Sequence, residues 1–391
     1  MNPCKDCKGD FGKENVRLMR IGQRTICPWL YVLPMKATAI HDTFVKSMET
    51  KEWNFILVNG DNGDGKSVYV NYLEHIADEK NYPIVHIEIK DDQIAQYSPA
   101  PYFTLQIFNN LRLPDGVVLS WKIQEDEKIR KKVHGILEKD SATFEFWSSA
   151  LTSVLLHITD DANEELKKMS LSWLKGEPKY VAELREMGIY DKTMKSLLNV
   201  PTDRALYFLK DLLNNLRYPG LIISVDEIER TAASESKLTR LKAKETLYIL
   251  RDIINILTSR DSLPTKRGIT QGLFVVYAIS SFYLGYSGVA PRTDIDFAAM
   301  ADRIGRPKVT LMDVPRLGTV LKDSASQIDI SFDSPTDLEN LAEKVITCYG
   351  QTMKKTISIK PKDLADESFN KTSKYLARAN VMAMVNTLDK M

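Results

Sequence analysis

The sequence NGDNGDGKSVYV, from Asn59 to Val70, decides how the fold of this chain is interpreted. A short apolar run, WNFILVN (53–59), leads into it. Apolar residues at helical spacing, Val70, Leu73 and Ile76, follow it. The stretch therefore predicts a strand, a glycine-rich loop and a helix in direct succession.

The loop matches the pattern G-x-x-x-x-G-K-[ST] of phosphate-binding loops. In such a loop, backbone N–H groups surround a phosphate, the lysine reaches the outer phosphates, and the hydroxyl group binds Mg²⁺. The helix adds the positive end of its dipole. The alternative is a glycine turn with a surface lysine. We expect ATP to be bound by Gly60, Asp61, Asn62, Gly63, Asp64, Gly65, Lys66, Ser67 and Val68.

Two carboxylates in this loop, Asp61 and Asp64, look unfavourable beside a polyanion. The loop grips phosphate with backbone N–H groups, however, and side chains at its variable positions can point away. We therefore expect ATP binding to persist, with a stronger requirement for Mg²⁺.

A second apolar run ends in two acids, in LIISVDEIER (221–230). An acid at the end of a strand, here Asp226, can hold Mg²⁺ through water, and the next acid, Glu227, can polarise an attacking water. By itself an Asp-Glu pair after a strand is also common in the first turn of a helix. Together with the loop, the pair predicts nucleotide hydrolysis.

Three more runs predict strands, at residues 84–90, 273–281 and 308–314. Five strands that alternate with helices predict an α/β fold with a mostly parallel sheet flanked by helices. The segment between the second and third strands, residues about 95–215, has helical periodicity. We divide the chain into an irregular N-terminal arm (1–34), a nucleotide-binding core with this helical insertion (35–314), and a helical lid or winged-helix-like subdomain (315–391).

Other polar residues occupy positions where a ring-forming ATPase needs them. Ser280 and Ser281 end one predicted strand, beside the γ-phosphate if that strand lies between the other two. Arg303 and Arg306 precede the last predicted strand, where an arginine can stabilise transition-state charge across a subunit boundary. Arg378, in the last predicted helix, is a weaker candidate for contact with the γ-phosphate, because most arginines on helices face solvent.

The bulk composition is that of an ordinary soluble globular protein. The chain has 391 residues, 43% hydrophobic and 27% charged, with a net charge of +1, so charge does not argue for or against nucleic acid. No apolar segment is long enough to span a bilayer, and we expect a cytoplasmic location. Cys4, Cys7 and Cys27 could be three ligands of a zinc site, but the spacing to His41, the nearest spare fourth ligand, is poor, and we expect free thiols instead of zinc.

The chain resembles AAA+ P-loop ATPases and, more narrowly, the ATP-binding protein family of BREX-type bacteriophage defence systems. The similarity covers roughly residues 35–391 and is most specific in WLKGEP (173–178) and GLIISVDE (220–227). It extends to the stretches GDNGDGKS, YPGLIISVDEIER, LRDIIN, ADRIG and ARANVMAMVNTLDKM. Asp64 departs from the serine or threonine that is more frequent in such loops, which puts the turnover rate in doubt more than binding.

The resemblance implies an ATP-hydrolysing subunit that works with other defence proteins and acts on a partner or on double-stranded DNA. We expect it to assemble into a homo-oligomer, either a ring or a filament. Two alternatives stay open. One is a nucleotide-dependent switch that hydrolyses slowly or not at all. The other is a DNA-binding scaffold with a vestigial site, which the lysines of the last 40 residues favour mildly.

Overall fold

A computed structural model describes residues 9–21, 23, 25, 27–51, 54–60, 63–89, 99–160, 162–228, 249, 253, 272–280 and 327–391. The described residues contain a six-stranded sheet. Its strands are β1 (Asn54–Gly60), β2 (Ile84–Glu88), β3 (Leu111–Arg112), β4 (Leu221–Asp226), β5 (Leu273–Ser280) and β6 (Gln327–Asp329).

The sheet is mostly parallel, as the sequence predicts, with the strand order β3-β2-β4-β5-β1-β6. β5 pairs in parallel with β1 on one side and with β4 on the other. Only the two-residue strand β3 among these six runs antiparallel to its neighbour, β2. The strand that carries the glycine-rich loop and the strand that carries the two acids therefore end at the same edge of the sheet, separated by one strand.

One predicted strand, residues 308–314, lies outside the described residues. On the side of β1 away from β5, the outermost strand of the sheet is β6. It pairs in parallel with β1 from Leu57↔Gln327 to Asn59↔Asp329. The sequence did not indicate a strand there, because three residues are too few to show a period of two.

Alternating residues of the central strands pack on opposite faces of the sheet. On β4, Leu221, Ile223 and Val225 belong to one buried cluster and Ile222 belongs to another. The second face is covered by α2 (Thr38–Thr50) and α3 (Lys66–Glu79). Burial on both faces explains why β4 appears in the sequence as a continuous apolar run.

The first face is covered by the predicted helical insertion, and the structure confirms its helical character. Trp173, Phe144 and Phe208 of these helices join the sheet residues in one buried cluster. The helices are α4 (Pro99–Asn110), α5 (Leu119–Glu125), α6 (Glu127–Lys139), α7 (Ser141–Thr159), α8 (Glu164–Leu174), α9 (Val181–Glu186) and α10 (Thr202–Asn215).

The C-terminal part of the chain is helical. It comprises α11 (Pro335–Met353), α12 (Pro361–Thr372) and α13 (Ala377–Leu388). Ser334 caps α11, since its hydroxyl accepts the backbone N–H of Asp337 at 3.2 Å. Residues 330–391, all of them described, contain no strand.

The N-terminal arm is not irregular throughout, and that prediction is wrong for residues 9–20. They form α1 (Gly9–Arg20), which packs on the C-terminal helices. The guanidinium of Arg20 donates two hydrogen bonds of 2.8 Å to the carboxylate of Asp389. Cys27 and Cys348 are buried in this same cluster, while Cys4 and Cys7 lie outside the described residues. Within the described part of the chain, no helix is both long and apolar enough to cross a membrane.

Trp173 tests how far the insertion depends on its core. The side chain is fully buried, and its indole N–H donates to the Met194 carbonyl at 3.0 Å. We expect Trp173→Ala to lower the free energy of unfolding by about 3–5 kcal/mol, because it leaves a cavity and an unpaired carbonyl. Trp121→Ala is the control, since that indole is 56% exposed, and we expect a change within about 0.5 kcal/mol. Equal urea midpoints for the two variants would contradict this packing.

Candidate nucleotide-binding site

The glycine-rich loop runs from the end of β1 to the start of α3. Gly63 and Gly65 have φ angles of +102° and +95°, a region that other residues adopt only at a cost. The ammonium group of Lys66 is buried and donates to the Gly60 carbonyl at 3.0 Å. The loop therefore carries a buried positive charge at the N-terminus of a helix. Asp61 and Asn62 lie outside the described residues.

Gly60 is closely packed under the loop. A Cβ atom at this position would lie 3.1 Å from Ile330 Cγ1 and 3.2 Å from the Cβ of Asp64. Asp64 is itself buried, and its Oδ2 would lie 3.3 Å from the same Cβ. Its side chain is thus close to the base of the loop at Gly60, and Asp64 also lines the cavity beside the loop.

The two acids lie at the end of β4, and the backbone of the second, Glu227, has an unusual conformation. Asp226 is buried, and its Oδ1 accepts the backbone N–H of Glu227 at 2.8 Å. Glu227 has a φ of +61°, which is left-handed backbone and costs a residue with a Cβ roughly 1–3 kcal/mol. In the sheet, the backbone of Ser280 is paired with Gly60, so β5 lies between the two acids and the loop.

A cavity of about 510 Å³ opens beside the loop, within the usual range of roughly 300–1,000 Å³ for small-molecule sites. Its lining includes the loop residues 63–68, Glu227 and Arg378, together with the polar residues Gln23 and Thr25 of the arm. Its apolar part comes from the N-terminal arm and the C-terminal helices. The apolar side chains are Met19, Leu30, Tyr31, Val32, Phe332, Leu341, Val345, Ala377 and Val381.

Arg378 contributes more than the sequence suggests. Its backbone N–H, at the first turn of α13, donates to the Gly63 carbonyl at 2.9 Å. A Cβ on Gly63 would approach the Cβ of Arg378 to 3.3 Å. The last helix therefore docks directly on the glycine-rich loop, a long-range contact for which the sequence holds no local signal.

The arm is fastened to the C-terminal helices beside the cavity. Lys344 of α11 donates to the Tyr31 carbonyl and lies over the Trp29 ring, 5.5 Å from its centroid. Burial lowers the pKa of Lys344, and burial raises the pKa of the Tyr31 phenol well above its ordinary value. The buried Tyr31 hydroxyl has no hydrogen-bond partner among the described residues. The contacts of Lys344 with Tyr31 and Trp29 therefore join the arm to α11 beside the cavity.

A family model described as "BREX system ATP-binding protein BrxC/D" matches residues 120–275. This confirms the resemblance to the BREX ATP-binding family. The match runs from α5 through β4, with Asp226 and Glu227, into the start of β5. The glycine-rich loop precedes the matched range. A search of curated proteins gave no match to the chain.

The family is ATP-binding by its description, and the residues of the cavity fit that ligand. A buried lysine, a helix N-terminus and a backbone-rich loop suit a polyphosphate, while the apolar wall suits a nucleobase. The Ser67 hydroxyl and the Asp226 carboxylate are oxygen ligands of the kind that Mg²⁺ prefers. Among the described residues, no cluster of three His, Cys, Asp or Glu side chains is placed to hold a metal by itself, so a magnesium ion here would depend on phosphate and water oxygens.

Several predicted site residues cannot be placed. Arg303, Arg306 and Ser281 lie outside the described residues, and of Ser280 only the backbone is described. Sequence reasoning missed the arm residues and the C-terminal side chains that complete the cavity. They belong to short segments that acquire a common surface only when the chain folds.

Gly65 provides a test of the loop geometry. Nothing lies within 4 Å of a Cβ added there, so only its φ of +95° resists substitution. We expect Gly65→Ala to cost about 1–2 kcal/mol of stability and to weaken ATP binding, because the loop must distort. Gly135→Ala, in the interior of α6 with equally open surroundings, should instead stabilise by about 0.5–1 kcal/mol. Thermal unfolding and ATP titration measure both; equal effects would contradict the loop conformation.

Proposed function

We propose that this protein is an AAA+-like P-loop ATPase subunit of a BREX phage-defence system, which binds ATP with Mg²⁺ in the cavity and hydrolyses it. One observation carries the proposal. The glycine-rich loop, the acid Glu227 and Arg378 line a single cavity, although they lie far apart in the sequence. The family match adds ATP binding and the BREX system.

ATP binding is assigned to the glycine-rich loop and to the arm and C-terminal helices that form the other walls of the cavity. The loop N–H groups, the Lys66 ammonium and the dipole of α3 hold the phosphates. The nucleobase packs against the apolar wall between the arm and the C-terminal helices. Arg378 supplies a further positive charge at the phosphate end.

Hydrolysis is assigned to the edge of the sheet. The Ser67 hydroxyl and the Asp226 carboxylate hold Mg²⁺, which neutralises phosphate charge when bound. Glu227 orients and polarises the attacking water. The strained backbone of Glu227 supports this role, because left-handed conformations at non-glycine residues are concentrated at functional sites. Contact with the γ-phosphate is assigned to Ser280, the last residue of β5, and to Ser281, the next residue in the sequence.

The remaining roles concern assembly. Arg303 or Arg306 reaches into the site of a neighbouring subunit, so turnover requires a homo-oligomer. ATP turnover is coupled to the rearrangement of a partner, which is either another defence protein or double-stranded DNA. The alternative is a switch that uses the same site to bind ATP but hydrolyses it slowly or not at all.

Lys66 tests the binding site itself. We expect Lys66→Ala to weaken ATP binding by about 100-fold, because a buried charge-assisted contact with phosphate is lost. Lys80→Ala is the control, since Lys80 ends the same helix and pairs with Glu49 at 2.7 Å on the surface. Isothermal titration calorimetry measures both affinities. Unchanged ATP affinity for Lys66→Ala would remove the site assignment.

Glu227 separates the ATPase from the switch. Glu227→Gln keeps the shape of the side chain but removes its basicity, so we expect ATP affinity to stay within about threefold while kcat falls by about 10²–10⁴-fold. Phosphate release under saturating ATP, together with phage resistance of cells that carry the variant, provides the measurement. Full defence with a variant that has lost turnover would favour the switch over the ATPase.

A further inference from the structure

Three polar side chains meet between α3 and the sheet, behind the proposed magnesium site. They are Glu74 of α3, His86 of β2 and Ser224 of β4. The Ser224 hydroxyl donates to Oε1 of Glu74, and His86 Nδ1 lies 2.6 Å from the same oxygen and 3.0 Å from the Ser224 hydroxyl. Glu74 and Ser224 are buried, and His86 is half-buried.

The cluster lies on the face of the sheet that carries Asp226. Ile223 and Val225 pack towards the helical insertion, so Ser224 and Asp226, at the alternate positions of β4, face α3. On α3, Ser67 and Glu74 are seven residues apart, about two helical turns, and share one side of the helix. The pair Glu74–Ser224 thus lies about two turns along α3 from Ser67 and two residues along β4 from Asp226.

The hydrogen bonds make this contact directional. Between Lys66 at the start of α3 and the end of the helix, the buried residues Val70, Leu73 and Ala77 are apolar, and apolar packing alone tolerates small displacements along the helix axis. Oε1 of Glu74, by contrast, is hydrogen-bonded to residues of two different strands, and these directional bonds resist displacement of the helix along its axis. The arrangement is not a nucleophilic triad, because the Ser224 hydroxyl is fully buried and donates its hydrogen bond to the carboxylate of Glu74.

We infer that Glu74, Ser224 and His86 are positioning residues that fix α3 against β4 and thereby set the separation of the Ser67 hydroxyl and the Asp226 carboxylate for Mg²⁺. The inference rests on the proposed function. Mg²⁺ demands near-octahedral geometry at roughly 2.0–2.1 Å from its ligands. An error of about 1 Å in such a placement costs about 100-fold in rate.

Ser224→Ala is the direct test, since it removes only the hydroxyl. We expect ATP affinity measured in EDTA to stay within about twofold, because the loop itself is unchanged. The Mg²⁺ concentration for half-maximal turnover should rise by about 10–100-fold, the range found when partners of metal ligands are removed. kcat at subsaturating Mg²⁺ should fall correspondingly, with little change in KM for ATP. Ser224→Thr keeps the hydroxyl and should stay near the wild type.

Thr152→Val is the matched control. It removes a buried hydroxyl that donates to the Ser148 carbonyl within α7, in the helical insertion. We expect it to lower the thermal midpoint as Ser224→Ala does, with an unchanged Mg²⁺ requirement. If Ser224→Ala does not fold, Glu74→Gln takes its place, because it keeps an acceptor oxygen and removes the charge, and should raise the Mg²⁺ requirement by about 3–10-fold.

The outcomes distinguish this inference from the function on which it rests. If the wild type shows Mg²⁺-dependent turnover and Ser224→Ala behaves like Thr152→Val, the positioning role is wrong and the ATPase assignment stands. If the wild type shows neither turnover nor any effect of Mg²⁺ on ATP affinity, both are wrong. A raised Mg²⁺ requirement in Ser224→Ala alone, restored in Ser224→Thr, supports the inference.

Discussion

The parallel pairing of β1, β5 and β4 is the constraint on which the candidate site depends. The carboxyl ends of parallel strands lie at the same edge of the sheet. The loop after Gly60 and the acids after Val225 therefore meet at that edge. The pairing in turn requires that the strands be buried on both faces. The helical insertion supplies the cover for one face, and α2 and α3 supply it for the other.

The site is completed by the two ends of the chain. The N-terminal arm and the C-terminal helices share one buried cluster and are joined by the Arg20–Asp389 pair. Together they form the apolar part of the cavity, and α13 contacts the loop through the Arg378 N–H group. A nucleotide in this cavity would contact the loop and this cover at once, which gives a physical route from occupancy of the site to the position of the C-terminal helices.

The sequence predicts those features that depend on neighbouring residues. The strand, loop and helix around Lys66, the buried strand before Asp226 and the helical insertion all have local patterns, and the structure contains them. Features that arise from long-range docking were not predicted. The helix Gly9–Arg20 was hidden by the cysteines and prolines around it, and Arg378 was only a weak candidate for contact with phosphate, with no sign that its backbone meets the loop. Both gain their roles from contacts with residues more than 300 positions away.

The claim that a nucleotide occupies this cavity is tested most directly by photolabelling with an ATP analogue that carries an azide on its adenine ring, followed by mass spectrometry. The base should lie against the apolar wall, so we expect labelled peptides from residues 19–32 or from the C-terminal segment 332–381. Excess ATP should suppress the labelling. Labelling confined to the helical insertion, or labelling that ATP does not suppress, would contradict the placement of the nucleotide.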